Sequence, residues 1–201
     1  MSAARPIVIG SRGSPLALWQ ARWVETRLRA SGHDTRIEVI RTTGDRFAEQ
    51  SLVVLGGQGL FVKEIEEALL CRGIDLAVHS LKDLPTAQPA GLAIACVPER
   101  APAVDLLLSR GRPTLRSLPT GSIVGTGSPR RASQIRHLRP DLAIRDVRGN
   151  VETRVARWRA GEYDALILAA AGVLRLGLEV EATPLAPDEM LPAVGQGALA
   201  I

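Results

Sequence analysis

The densest run of chemistry-capable side chains is His79-Ser80-Leu81-Lys82-Asp83, four polar or ionisable residues in five positions, directly after the apolar stretch Leu76-Ala77-Val78. A strand that ends in such a cluster puts it where α/β folds build their sites. A carboxylate such as Asp83, in basic and partly dehydrated surroundings, stays ionised. It can then stabilise a cation developing on a substrate, or accept a hydrogen bond from a ring N–H. Three other places combine small residues with arginine at the start of an expected helix. They are Ser11 to Ser14 with Arg12, Gly125 to Ser128 with Arg130 and Arg131, and Gly149-Asn150 with Arg148 and Arg154. Free backbone N–H groups and the positive end of the helix dipole favour anions there, and the guanidinium fork grips a carboxylate through two parallel hydrogen bonds. The repetition points to a ligand that carries several anionic groups across a cleft.

Other chemistries find less support. Gly56-Gly57-Gln58-Gly59 lacks the Gly-Lys-Ser/Thr ending of a phosphate loop, and Val62 stands where a dinucleotide fingerprint requires its third glycine. Cys71 and Cys96 have no C-x-x-C spacing, so neither a disulfide framework nor a zinc knuckle is expected, and no metal site is read elsewhere. Both thiols are expected in apolar, buried surroundings, Cys71 at the closing turn of a helix and Cys96 inside a strand, and burial of that kind makes a thiol inert.

The elements that must position these residues follow from periodicity and caps. Ile7 to Gly10 reads as a short buried strand, and Ser14-Pro15 supplies an N-cap followed by proline at the first helical position. The apolar face of that helix runs Ala17, Ala21, Val24, Leu28, with Gly32 as its stop. Arg36 to Ile40 alternates as a strand, and a second helix carries Phe61, Ile65, Ala68 and Leu69. Leu76 to Val78 and Leu92 to Val97 read as buried strands. This alternation predicts an α/β domain with a largely parallel sheet. After Pro98 to Pro102 a similar unit begins. Ile123 to Gly125 is a strand, Ser128-Pro129 repeats the cap, Ala132, Ile135 and Leu138 form a helical face, Leu142 to Val147 is a strand, and Val151 to Ala160 is a helix. Ala165 to Ala169 is a buried strand running into a turn that contains Gly172. The expected division is residues 1–98, with 195–201 returning to them, and residues 99–194.

Length and composition agree with this plan. A chain of 201 residues, 46% hydrophobic and 23% charged, can bury roughly 70% of its extended surface without disulfides or metals. Met1 to Arg5 leads straight into a strand, with no apolar signal segment and no span of ~20 apolar residues, so a cytoplasmic location is expected rather than secretion or a membrane. The net charge is +4, and of the 25 basic residues only Lys63 and Lys82 are lysines. The arginines are spread along the chain and aromatics make up 3%, which argues against a nucleic-acid face built on stacking.

Read together, six segments resemble the porphobilinogen deaminase (hydroxymethylbilane synthase) family. They are Arg12-Gly13-Ser14-Pro15-Leu16-Ala17-Leu18-Trp19-Gln20, Gly56-Gly57-Gln58-Gly59-Leu60-Phe61, His79-Ser80-Leu81-Lys82-Asp83-Leu84-Pro85, Gly125-Thr126-Gly127-Ser128-Pro129-Arg130-Arg131, Arg148-Gly149-Asn150-Val151 and Leu191-Pro192-Ala193-Val194-Gly195-Gln196-Gly197-Ala198. The match runs in the same order over essentially the whole chain. It implies an α/β fold of two domains with type-II periplasmic-binding-protein architecture and a cleft between them. It further implies a transferase of tetrapyrrole (porphyrin and heme) biosynthesis, which joins four porphobilinogen units head to tail with release of ammonia, on a dipyrromethane cofactor held by a cysteine.

By that resemblance Asp83 is the catalytic carboxylate. Arg12, Ser14, Lys82, Ser128, Arg130, Arg131, Arg148, Arg154 and Arg175 match positions that bind cofactor or substrate carboxylates, Ser80 and Thr126 are further polar contacts, and Phe61 is the aromatic at the cleft edge. The sequence departs from the family where Gln58 and Val54 replace frequent lysines. It also contains nothing that matches the family's third domain with its cofactor cysteine, and neither Cys71 nor Cys96 occupies that position. The chain on its own is therefore expected to be inactive. The resemblance implies a monomer, while apolar surface near Gly195 to Ile201 is expected to promote association of the shorter chain. The competing reading is a non-catalytic cleft module for a small anion or poly-carboxylate. Such a module accounts for the arginines but has no need of the His79 to Asp83 block. A regulator's effector domain would require a helix-turn-helix segment, which the chain lacks.

Overall fold

In the computed structural model, residues 5–43, 62–111 and 113–201 are described, and they divide into two compact units, Met1–Arg100 with Ala198–Ile201, and Ala101–Gly197. Phe61, Gln58, Val54 and the glycine-rich turn Gly56 to Gly59 lie outside the described residues.

The first unit is built on β1 (Ile7–Ser11), which lies between β2 (Thr35–Val39) and β3 (Leu76–Ala77), all parallel, with Ile9 opposite both Ile37 and Leu76. Successive side chains of a strand face opposite sides of the sheet. Val8 accordingly packs with Ile65 and Ile74, near helix α2 (Lys63–Leu70), whereas Ile9 packs with Ala21 and Val24 of helix α1 (Pro15–Ala30). Helix α1 starts as its sequence requires: the Ser14 hydroxyl accepts from the Ala17 N–H at 3.3 Å, and Pro15 is its first residue. Val78 interrupts the strand, and β4 (His79–Ser80) pairs antiparallel with β10 (Leu199–Ala200), so the end of the chain is a strand of this first unit.

The second unit holds a five-stranded sheet in the order β7-β6-β8-β5-β9. Strands β6 (Ile123–Gly125), β7 (Ala143–Arg145) and β8 (Ala165–Ala169) run parallel, while β5 (Asp105–Ser109) is antiparallel to both β8 and β9 (Ala182–Leu185). Leu107 and Ile167 contribute to one apolar layer with Ile135 of helix α3 (Pro129–Leu138). Leu108, Leu166 and Leu168 contribute to the other, with Val155 and Trp158 of helix α4 (Val151–Arg159). Ser128 and Asn150 cap these helices by accepting from the N–H groups of Arg131 and Thr153.

Several expectations are corrected. Leu92 to Val97 is not a buried strand: it forms no strand and is exposed from Ala93 to Val97, and its Ala95 and Cys96 N–H groups donate to the Ile201 carbonyl. An apolar run specifies neither a partner strand nor a covering layer. Cys96 is exposed in consequence, and so is Cys71 at the end of α2, which removes burial as a ground for inert thiols. Gly172 lies within a helix, α5 (Ala170–Arg175), rather than in a turn. The segment near the end of the chain is buried from Gln196 to Ala200, and the exposed apolar residues precede it at Leu191 and Val194. Strands β5 and β9 went unread because Asp105 and Pro184 mask their pattern. No helix among the described residues is long and apolar enough to cross a membrane.

Candidate functional site

In the first unit the parallel pairing of β1 and β3 aligns their C-terminal ends, and the Val78 N–H donates to the Gly10 carbonyl. That alignment brings Arg12, just beyond β1, beside His79, just beyond β3. Arg12, Ser14, Gln20, His79, Ser80 and Asp83 line one pocket. Asp83 reaches it from a 3₁₀ turn, Leu81–Asp83, which follows β4 directly, and it is exposed, as is Lys82. Burial, then the positive charge of Arg12, push the His79 imidazole down to about 4, so it is neutral at physiological pH. A neutral ring there leaves Arg12 as the cation among the residues that line this pocket.

Gln20 was not singled out from the sequence, yet it is 3% exposed and its Nε2 donates to Ser80 Oγ at 2.9 Å. The available signal was a polar residue one turn along from Ala17 on the apolar stripe of α1.

In the second unit, β6 and β7 run parallel and side by side, so the loops that follow them share one edge of the sheet. Thr126 is buried, its N–H donating to the Arg145 carbonyl and its Oγ1 accepting from the Ser128 N–H at 3.2 Å. Gly127 packs so closely that a Cβ would lie 2.7 Å from the Val147 carbonyl oxygen and 3.0 Å from Asp146 Oδ1. The Thr126 to Ser128 loop is thereby seated against the loop holding Arg148. Arg148 Nε donates to Asp146 Oδ2 at 2.7 Å, and Arg154 Nε donates to the Gly149 carbonyl at 2.8 Å. Arg175 is held elsewhere in the unit, donating to the Gly197 carbonyl at 2.8 Å.

Arg130 and Arg131 converge on a residue absent from the expected set. Arg131 Nη2 donates to Asp105 Oδ1 at 2.7 Å and Arg130 Nη2 to Asp105 Oδ2 at 2.8 Å. Gln196 Nε2 adds a third donor to Oδ1 at 2.8 Å. Burial pushes the Asp105 carboxyl up, but Arg131, Arg130 and Gln196 outweigh it and hold the group below the usual carboxylate range. An aspartate opening a leucine-rich strand carries no signal of this contact. A larger hollow beside α3, about 260 Å³, is lined by residues such as His137 and Asp188 and holds none of the expected site residues. Among the described residues no three His, Cys, Asp or Glu side chains form a metal-holding group.

Two comparisons of structure define the class. The architecture is similar to that of the periplasmic aliphatic sulphonate binding protein SsuA of Escherichia coli, with a TM-score of 0.51 and 18% identity, over 98% of this chain and 62% of that one. It is similar also to the second substrate-binding domain of GlnP from Lactococcus lactis in its open conformation, with a TM-score of 0.52 and 11% identity, over 100% and 83%. The fold is thus the α/β, two-domain architecture of periplasmic binding proteins. The family model described as "Porphobilinogen deaminase, dipyromethane cofactor binding domain" matches residues 7–201, and the chain belongs to that family. It is 51% identical to the porphobilinogen deaminase of a Geobacillus strain and 52% identical to that of Thermus thermophilus, in both cases over 98% of the chain. The chain spans about 65% of the length of these relatives.

Proposed function

We propose that this chain carries the carboxylate-binding and catalytic residues of a transferase that joins porphobilinogen units head to tail with loss of ammonia. The observation that carries the reading is the pocket in which Arg12, Ser14, Ser80 and Asp83 meet at the ends of β1 and β4. Asp83 accepts hydrogen bonds from pyrrole N–H groups, and its charge stabilises the cation formed when the aminomethyl carbon of porphobilinogen loses ammonia. Each pyrrole bears an acetate and a propionate. Arg12, Ser14, Ser80 and Lys82 hold such carboxylates in the first unit, and Thr126, Ser128, Arg130, Arg131, Arg148, Arg154 and Arg175 do so in the second, with Phe61 at the edge.

A dipyrromethane, itself a poly-carboxylate, fits this donor set. The Arg131 side chain is buried, yet its Nε–H has no acceptor among the described residues, an opening for an anionic oxygen. When bound, the group supplies the free pyrrole carbon to which the next unit is attached. Within this chain the domain boundaries fall near residues 98–101 and 195–198. The protein works as a monomer in the cytoplasm on a small molecule, with neither nucleic acid nor membrane as partner.

The test is to incubate the native-length protein with porphobilinogen and look for uroporphyrin after acid oxidation, alongside calorimetric binding to the 201-residue chain. Uroporphyrin supports the transferase. Binding without turnover at native length would instead identify a non-catalytic poly-carboxylate module, and absence of both would reject the site.

A further inference from the structure

We infer that Asp105 is the positioning residue that makes Arg130 and Arg131 a fixed carboxylate-reading pair, an inference that rests on the proposed function of these arginines. Asp105 is fully buried, at 0% exposure, where β5 begins. Its two oxygens divide the pair, Oδ1 taking Arg131 and Oδ2 taking Arg130. Each guanidinium then uses its other terminal nitrogen on backbone: Arg131 Nη1 donates to the Ile167 carbonyl at 3.2 Å, and Arg130 Nη1 donates to the Leu191 carbonyl. Both planar heads are therefore held at two points, which a flexible surface arginine is not.

The charge arithmetic gives the cluster its direction. Two guanidiniums face one carboxylate and one neutral amide, Gln196, so the group retains a single net positive charge. Gln196 is itself fully buried and bridges Asp105 to the Ala103 carbonyl, which keeps the carboxylate from swinging away. The Arg131 Nε–H, buried and without an acceptor among the described residues, remains as the donor for an incoming oxygen. Pre-fixed donors lose little freedom when a ligand arrives, so Asp105 contributes to affinity and orientation without touching the ligand.

The test compares native-length protein with its Asp105→Asn and Asp105→Glu variants. Asp105→Asn keeps the shape, releases the two forks and raises the surplus to two charges. Its kcat/KM for porphobilinogen should fall by about 10- to 100-fold, mainly through KM, and its KM should depend more steeply on ionic strength. Asp105→Glu should restore the salt dependence of the parent. A purely structural aspartate would lower the melting temperature and leave the salt dependence unchanged, and that result overturns the inference. Should Asp105→Asn fail to fold, ¹⁵N spectra of the parent decide. Slow rotation and resolved Nη signals for both Arg130 and Arg131 are expected, and free rotation of either would refute the fixed pair. If the parent turns over no porphobilinogen, the functional reading fails on that ground alone, while the spectra still report whether Asp105 holds the arginines.

Discussion

Gln20 donates from Nε2 to Ser80 Oγ at 2.9 Å, joining helix α1 to strand β4 across 60 positions of chain. A hydroxyl that accepts in this way keeps its own proton for another acceptor, so Gln20 decides where the Ser80 O–H points. Gln20→Leu preserves bulk and removes that control. Porphobilinogen binding should weaken by up to about tenfold, the value of one hydrogen bond. Calorimetry that showed unchanged affinity would remove Gln20 from the site.

Asp83→Asn keeps the size of the side chain and takes away its charge. In the native-length protein turnover should fall on the order of 10² to 10³ while the melting temperature stays near that of the parent. A variant that retained more than half the parental rate would show that the carboxylate is not the charge partner of the reacting carbon.

His79 makes stability depend on pH. Its folded value, about 4, lies below the ordinary 6.5, so between these limits the unfolded chain binds the proton and the folded chain does not. Stability should fall as pH drops through that window, by an amount on the order of 3 kcal/mol, and be level above it. Asp105, held below the usual range, adds a loss only at lower pH. Urea titrations at intervals from pH 4.5 to 7.5 should give a sloping midpoint for the parent and a flatter one for His79→Gln, and equal slopes would contradict the assignment.

Gly197 sits at φ +86°, and a Cβ there would run into the carbonyl oxygen of Ala101. Its own carbonyl accepts from the Ala101 N–H and from Arg175. Gly197→Ala should therefore destabilise the protein by at least about 2 kcal/mol. A shift in the denaturant midpoint worth less than a quarter of that would mean the backbone relaxes there freely.

Cys71 and Cys96 are both exposed. A thiol reagent added to the folded chain should modify two thiols without denaturant, and at similar speed. If either reacted only after unfolding, the exposure of its segment would be wrong.

How much of this was legible beforehand depends on the range of the interactions involved. Ser14-Pro15 and Ser128-Pro129 announced their helices because a cap is a contract between residues three apart. The strands β1, β6 and β8 were equally plain, since an apolar run bounded by glycine or a polar cap needs little else. The segments around Arg12 and His79 to Asp83 were readable as chemistry for the same local reason, and the six segments in order identified the family. What the tertiary structure alone decided concerns partners distant in sequence. Whether Leu92 to Val97 finds a neighbouring strand, whether Cys96 is covered, and which donors meet Asp105 all depend on distant residues, from 25 to 91 positions away in the carboxylate's case. No local pattern encodes such a meeting. Asp105 is polar in a strand of leucines, and only the approach of Arg130, Arg131 and Gln196 to its two oxygens turns an apparent misfit into the centre of a charged cluster, because a buried carboxylate is stable only where donors converge on it.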